Sequence, residues 1–581
     1  MKTLYRKMTE WFDRGFSQQE GVGFLPFVII VATLVAYWPV REHGFVRWDE
    51  QLYVMENPFL TDPDGLRKSW TTLEKTERQY YPLLLTTYWL QYQLWGDNPA
   101  GYHAVNLWFH LCNSVLVLFL LRVLGTGRWV AGVGALLFAL HPIQAESVAW
   151  VAELKNLQSG FFYLAAFLFY WLHRAHHPVA YDVSGGRVVR TPATGGAAQG
   201  WAAYGAVLFF YACALLSKTS TVTLPLSLFL FDWLLASRAG SRRHPQWWRG
   251  SLARVVPMLA MGIIPSLIAV SLEDGPAPEA IPPLGLRPLI AAAAIWFYVG
   301  KLVLPITLVP IYPRWEVGAG QWWLWAAAAG LAVTLMVVWH WRDRLGGLVL
   351  WGLGHFVASL SPLLGFIPFG YLDHSFVADH FTYIASIGFF LVVAVFAERI
   401  CQGIPAAFGS QPARRWIMTG VVCALLVGLA GLTRSQARVW RDPITFWSYV
   451  ASENPRSSNV HNNLGNAYLR NDNLEEAQVH YGQALRIQPN SSIAHHNLGL
   501  ALSKQGHLDE AIEEYRQAIY YQPRYWLAHA NLALAYAQQG RFDEAAISAE
   551  RARESAIARG QTDAAAELEG LIKQYRSKRS G

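Results

Sequence analysis

Between residues 24 and 441 the chain is a succession of apolar runs, each near the length of about 20 residues that crosses a bilayer. The runs cover about 24–40, 103–121, 129–141, 157–173, 201–217, 219–236, 252–271, 288–309, 322–341, 347–363, 381–397 and 416–433. No other feature constrains the fold as much. Lipid offers backbone amides no water, so such a run must close its hydrogen bonds within itself as a helix. Several runs are short and end in His, Lys or Pro, as expected of helices that open into a polar cavity. Beyond residue 441 the pattern stops. Residues 442–581 hold 30 of the 87 charged side chains (47 basic, 40 acidic) but two of the 26 Trp, against 57 and 24 in residues 1–441. Two solvents are implied, and a single soluble globular domain is excluded. The expected fold class is all-α, a polytopic membrane helix bundle over 1–441 followed by a soluble helical unit over 442–581.

The net charge of +7 divides as unevenly. Residues 442–581 carry 14 Lys and Arg against 16 Asp and Glu, a net −2, which leaves +9 in the membrane part. Those basic residues sit in short loops between apolar runs, so they record membrane orientation and point away from a nucleic-acid partner. Cys112, Cys213, Cys401 and Cys423 lie in or beside apolar segments without CxxC spacing, which argues against a disulfide framework or a zinc site. At the N-terminus, Lys2, Arg6, Lys7 and Arg14 precede a run that ends in Tyr37-Trp38-Pro39-Val40-Arg41. A signal peptide would end in small residues, so this run is expected to be an uncleaved first span with a cytoplasmic N-terminus.

Loop charges then set the remaining orientation. The loops around Arg122/Arg128, Arg174–Arg190, Arg238–Arg254, Arg342/Arg344 and Arg399–Arg415 are basic and should be cytoplasmic. The loop 364–380 lacks Lys and Arg, and 272–286 carries Glu273, Asp274 and Glu279, which suits the outer side. This alternation works if one segment between 272 and 341 fails to cross. The candidate is 288–309, interrupted by Gly300-Lys301 and Pro305 and followed by Pro310. About 11 crossings follow, with the first outer loop (about 41–102) and the C-terminal unit on the same side. Twelve would put that unit in the cytoplasm.

The C-terminal unit repeats at a period of 34. Pro455, Pro489 and Pro523 are in register, as are Asn463-Leu464-Gly465, Asn497-Leu498-Gly499 and Asn531-Leu532-Ala533. Glu476-Ala477, Glu510-Ala511 and Glu544-Ala545 follow the same period, and Gly506 and Gly540 mark turns between helices. This is similar to tetratricopeptide repeats, expected over about 455–488, 489–522 and 523–556 with a capping helix after them. Such an α-solenoid presents a concave face to peptides.

Scarce charge in the membrane part makes each outer-side ionisable residue conspicuous. Asp49 and Glu50 follow the first span, where a carboxylate can serve as a general base toward a hydroxyl. His103, Asn106 and His110 share one face of the second run. His141 and Glu146 follow the third run, Glu153 and Lys155 precede the fourth, and Lys218 sits in a short outer turn. Asp373, His374, Asp379 and His380 occupy the loop before the run at 381. Lys155 and Lys218, with either Lys301 or Arg314 as a further candidate, are cations placed where a lipid phosphate would lie. The spacing of His103, His110 and His141 marks no metal site, and divalent-metal dependence stays open.

Phe45-Val46-Arg47-Trp48-Asp49-Glu50, Asn57-Pro58, Tyr81-Pro82-Leu83 and His103-Ala104-Val105-Asn106-Leu107 occur in that order. Leu137-Phe138-Ala139-Leu140-His141-Pro142, Glu146-Ser147-Val148-Ala149-Trp150-Val151, Leu215-Leu216-Ser217-Lys218, Val222-Thr223-Leu224-Pro225 and Asp232 follow. Together with the closing repeats, this order resembles the transmembrane and tetratricopeptide repeat-containing proteins over nearly the whole chain. The resemblance implies a C-type glycosyltransferase fold. It also implies a protein O-mannosyltransferase activity that uses a polyprenyl-phosphate sugar on the non-cytoplasmic side. Carried over, Asp49 matches the catalytic base and Glu50 its partner, and His141, Glu146, Lys155 and Lys218 match motif positions. His103, Asn106, Asp379 and His380 join them as expected donor-phosphate or substrate contacts. Bacterial relatives often read Glu-Arg-Lys-Asp where this chain has Glu153-Leu154-Lys155-Asn156. They often read Ala-Asp-Arg-Tyr-Thr-Tyr where this chain has Ala378-Asp379-His380-Phe381-Thr382-Tyr383. Two arginines are thus replaced, by Leu154 and His380, and donor binding should be altered or should use another cation.

The expectation is an integral protein of a bacterial inner membrane, with the first loop and the repeats periplasmic. It would move a hexose such as mannose from the lipid-linked donor, its co-substrate, to Ser or Thr of exported proteins held by the repeats. The competing expectation is a non-enzymatic membrane scaffold whose repeats assemble an envelope complex.

Overall fold

The computed structural model describes residues 22–72, 80–176, 180–181, 188–189, 197–238, 246–272, 281–405 and 410–579. Lys2, Arg6, Lys7, Arg14, Arg190, Glu273, Asp274 and Glu279, on which part of the orientation argument rests, lie outside the described residues. Apart from an antiparallel ribbon that pairs Ala180–Tyr181 with Val188–Val189, the described structure is helical. The chain divides into two units, Met1–Arg441 and Asp442–Gly581.

Among the described residues of the first unit the apolar runs are largely helical, and ten helical segments are long and apolar enough to cross a membrane. The first outer loop is itself largely helical, with Pro58–Thr61, Gly65–Thr71 and Pro82–Trp95. Prolines start helices there because the first turn needs no amide donor. Pro99 opens Pro99–Val123 in this way, and Asn98 caps it by accepting from Ala100 N at 3.1 Å.

The bundle has two chemically distinct ends. Along Thr219–Arg238, Lys218 precedes one end and Arg238 closes the other, about 30 Å apart at 1.5 Å per residue. At the Arg238 end, Asp232 joins three helices. It accepts from Tyr170 Oη at 2.6 Å and Arg254 Nη2 at 2.8 Å, and Arg174 Nε lies 2.8 Å from its second oxygen. Buried carboxylates require such partners.

The segment 284–303 behaves differently from its neighbours. Its helix Arg287–Val303 starts where Arg287 Nη1 donates to Phe366 O at 2.7 Å and stops where Leu302 O meets His141 Nε2 at 3.2 Å. Phe366 and His141 both belong to the Lys218 end, and Leu289 and Ile290 pack on Leu372 and Phe376 of the loop between 364 and 380. Both termini of this helix are therefore tied to one end of the bundle. Arg128–Leu140 is a shorter apolar helix that is almost wholly buried, and Leu154–His176 is 23 residues long. The last long helix, Gln411–Arg438, finishes at the Lys218 end, where Gly44 N donates to Arg441 O at 2.8 Å.

The second unit is a tetratricopeptide-repeat stack of helix pairs, Ser458–Arg470 with Leu474–Ile487, Ser492–Lys504 with Leu508–Tyr521, and Trp526–Gln538 with Phe542–Ala558. Pro443–Glu453 precedes them and Thr562–Arg579 follows. The 34-residue period has a physical counterpart at each step. His461, His495 and His529 each bond through Nε2 to the carbonyl of Pro455, Pro489 and Pro523 at 3.0 Å. Ala477, Ala511 and Ala545 are fully buried. The turn between helices takes left-handed φ at Gly506 (+87°) and Gly540 (+75°), and in the first repeat at Asp472 (+59°), a residue type that tolerates this region.

Candidate functional site

The Lys218 end gathers an unusual set of buried charges. Arg47 adopts φ +57°, turning the chain so that Trp48 and Asp49 face the bundle and Gln51–Met55 can start as a wide helical turn. The ring of Trp48 lies on Trp150 at 4.6 Å and 11°, and Trp150 stacks in turn on Trp440 at 5.3 Å. Glu50 folds back beneath this stack. It is buried, its Oε2 accepts from Trp48 N at 3.2 Å, and burial pushes its carboxyl up to about 7 despite that bond. Glu50 thus secures the turn that presents Asp49, whose own side chain is 31% exposed.

Beyond Asp49 the charges form a chain. Lys155 Nζ lies 3.5 Å from Asp49 Oδ2 and 3.1 Å from Glu153 Oε1. Lys218 Nζ lies 3.7 Å from the other oxygen of Glu153 and donates to Asn156 Oδ1 at 2.7 Å. Asn156 donates to Glu153 and to His380 O, the latter at 2.9 Å. His380 N donates to Glu146 Oε2 at 2.9 Å, His380 Nδ1 lies 3.0 Å from Glu146 Oε1, and its Nε2 is 3.9 Å from Glu153. Glu153 is fully buried, which raises its pKa, but His380, Lys155 and Lys218 together outweigh that cost and hold it down at about 2. Asp379 is buried beside this chain. Burial and then the charge of Glu146 raise its pKa, and Tyr312 Oη donates to it at 2.9 Å.

Of the residues singled out from sequence, the structure brings Asp49, Lys155, Lys218, Glu146 and His380 into one connected cluster, with Glu50 behind Asp49 and Asp379 behind Glu146. The others bond mainly to backbone. His103 Nε2 meets Gly44 O at 3.3 Å, Asn106 donates to Trp150 O at 2.9 Å, and His141 holds Leu302 O and Ile143 N. His110 joins Tyr383 Oη at 3.0 Å and Ala139 O at 3.2 Å. Lys301 caps Ile306 and Thr307 carbonyls, and Arg314 lies over Phe376.

The position of Leu154, where an arginine is expected, is fully buried, whereas His380 stands inside the charge chain. Three contributors were not assigned to the site from sequence. Glu153 sits two residues from Lys155, a spacing that does not face on a helix, but a 3-10 turn over Val151–Glu153 precedes the helix and swings its carboxylate back. Asn156 became visible as a departure from a pattern, without a role. The Trp48–Trp150–Trp440 stack joins residues almost 400 positions apart and has no local signal.

Comparison with known proteins adds three findings. Family models described as tetratricopeptide repeat match residues 454–519 and 496–564. The protein O-mannosyl-transferase TMTC3 of Mus musculus is 34% identical over 158 residues, 26% of this chain and 17% of the relative. The protein O-mannosyl-transferase F38B6.6 of Caenorhabditis elegans is 21% identical over 489 residues, 79% of this chain and 62% of the relative. The chain therefore spans less than two thirds of the length of these curated relatives. The solved Sgt2 tetratricopeptide-repeat domain from Aspergillus fumigatus aligns at 26% identity over 21% of this chain and 79% of that one, with a TM-score of 0.20. The chain is a low-identity homologue of protein O-mannosyl-transferases that ends in tetratricopeptide repeats.

Proposed function

We propose that this protein is a membrane glycosyltransferase that moves a hexose such as mannose from a polyprenyl-phosphate donor to Ser or Thr hydroxyls of exported proteins. The observation that carries the reading is Asp49, a part-exposed carboxylate at the rim of an otherwise buried charge cluster, with Lys155 3.5 Å away. The names of the homologues support the reaction class. Asp49 takes the proton of the acceptor hydroxyl, whose oxygen forms a bond to the anomeric carbon as the bond from that carbon to the phosphate oxygen breaks. The lipid phosphate departs with the bonding electrons, and a single displacement inverts the anomeric centre. Lys155, shared between Asp49 and Glu153, and Lys218 supply positive charge for the departing phosphate. Glu50 acts as a positioning residue for Asp49.

The site faces the periplasm of a bacterial inner membrane in this reading. The N-terminus and the arginine-rich bundle end are cytoplasmic, as loop charge predicts. The repeats recruit the polypeptide acceptor. In isolated membranes supplied with polyprenyl-phosphate mannose, Asp49→Asn should abolish sugar transfer at unchanged protein abundance, and full retained transfer would refute the assignment.

The pairing of Lys155 and Lys218 with Glu153 favours one alternative, a non-enzymatic scaffold in which these lysines are counter-ions and the repeats assemble an envelope complex. Under that reading Asp49→Asn leaves the cellular phenotype intact, while deleting 442–581 abolishes it.

A further inference from the structure

At the bundle end remote from Asp49, a cavity of about 380 Å³ opens between Thr219–Arg238, Arg342–Leu360 and Ser386–Gly403. Each of these segments contributes one arginine to its lining, Arg238, Arg342 and Arg399, and Asp343 is the acid among the lining residues. Among the described residues, none of the three guanidinium groups lies within ion-pair distance of a carboxylate. Two are nonetheless fixed. Arg342 Nη1 donates to Trp339 O at 2.7 Å, and Arg399 Nη2 donates to Leu345 O at 2.6 Å.

The backbone of the cavity is specialised as well. Gly346 takes φ +77° and ψ 163° and breaks the helix that begins at Arg342. A helix restarting after such a break offers amides without intrahelical acceptors and the positive end of its dipole. Gly346, Gly347 and Leu348, which form that restart, line the cavity. Side chains are disfavoured on both glycines. A Cβ on Gly347 would lie 2.6 Å from Leu234 Cδ1, and one on Gly346 would need the left-handed region and approach Arg399 Nη2 to 3.4 Å.

Three arginines without carboxylate partners, from three segments, together with a helix start, describe a site for a phosphate-type anion. The surroundings decide its source. Close in the chain to the lining residues Arg342 and Arg399, Trp339, Trp341 and Ile400 have 71%, 49% and 61% of their surface exposed, as in the aromatic and aliphatic belt of a membrane interface. We propose that this cavity binds the phosphodiester headgroup of an anionic phospholipid from the leaflet at the arginine-rich end. The inference does not depend on the sugar-transfer reading, because it uses residues at the other end of the bundle.

Native mass spectrometry of the full chain in detergent tests it, with phosphatidylglycerol, phosphatidylcholine and inorganic phosphate as the probes. The wild type should retain phosphatidylglycerol at least about tenfold better than phosphatidylcholine, and millimolar inorganic phosphate should not displace it. R238Q/R342Q/R399Q should reduce that preference to near unity. Asp343→Asn removes the one lining acid without touching the arginines and should strengthen phosphatidylglycerol retention, so the idea remains testable if the triple variant does not fold. Equal retention of the two lipids by the wild type, displacement by inorganic phosphate, or an Asp343→Asn variant with unchanged retention would each overturn the proposal.

Discussion

Glu50 offers the sharpest physical test of how the site is held. Its carboxyl is buried under the Trp48–Trp150 stack, and burial, partly offset by the Trp48 amide, moves its pKa from the ordinary 4.5 to about 7. A carboxyl whose pKa is higher in the folded than in the unfolded chain binds its proton more tightly when folded. Its contribution to stability is therefore complete below about pH 4.5 and is lost as pH rises through about 7. At about 1.36 kcal/mol per tenfold change in proton affinity, the whole displacement corresponds to on the order of 3 kcal/mol. Glu50→Gln replaces the carboxyl with a neutral group that can still accept from Trp48 N, so this loss should vanish. Thermal unfolding of the full chain in detergent, followed between pH 5 and 8, should show the wild type falling relative to Glu50→Gln by a few degrees. The two proteins should converge at the acid end. Parallel profiles across that range would show that Glu50 is ionised in the fold and that its burial is not what presents Asp49.

Glu153 should behave in the opposite way. It is held near a pKa of about 2 by His380, Lys155 and Lys218, so Glu153→Gln strands Lys218 in a buried site, leaves Lys155 with Asp49 alone and should cost about 3–5 kcal/mol; an unaltered melting temperature and elution profile would contradict this. Its stabilising contribution is present at neutral pH and lost only below the ordinary carboxylate range, as pH falls toward about 2. In the repeats, a Cβ on Gly465 would lie 2.5 Å from the Tyr481 ring, so Gly465→Val should destabilise the first helix pair by about 1–3 kcal/mol. Limited proteolysis should then cut between 457 and 488 before other sites, and uniform resistance would count against it.

What the sequence disclosed and what it withheld follow from the range of the forces involved. Apolar runs and the 34-residue period are local, and a helix or a helix pair forms wherever they occur, so both units could be read directly. Gly300-Lys301 and Pro305 are equally local signals, and the helix there ends at Val303. The site is a different kind of object. Asp49 was visible because charge is scarce near lipid, but its setting depends on Trp440, and the grouping of Glu146, Asn156 and His380 depends on the loop at 379–382 folding back onto the turn at 142–153. Those contacts span more than 200 residues and leave no periodic trace.

The same logic explains why the lysines were expected to be available cations and are found partnered. A lone buried charge is too costly to persist, so in a bundle with little water each charge must meet its opposite. Lys155 and Lys218 therefore share Glu153, and His380 is gripped by Glu146. Asp49 shares Lys155 with Glu153 at the longer of the two distances and keeps part of its surface exposed. Among Asp49, Glu50, Glu146, Glu153 and Asp379 it is the carboxylate that reaches solvent, and this is the physical reason the proposal puts the acceptor hydroxyl there.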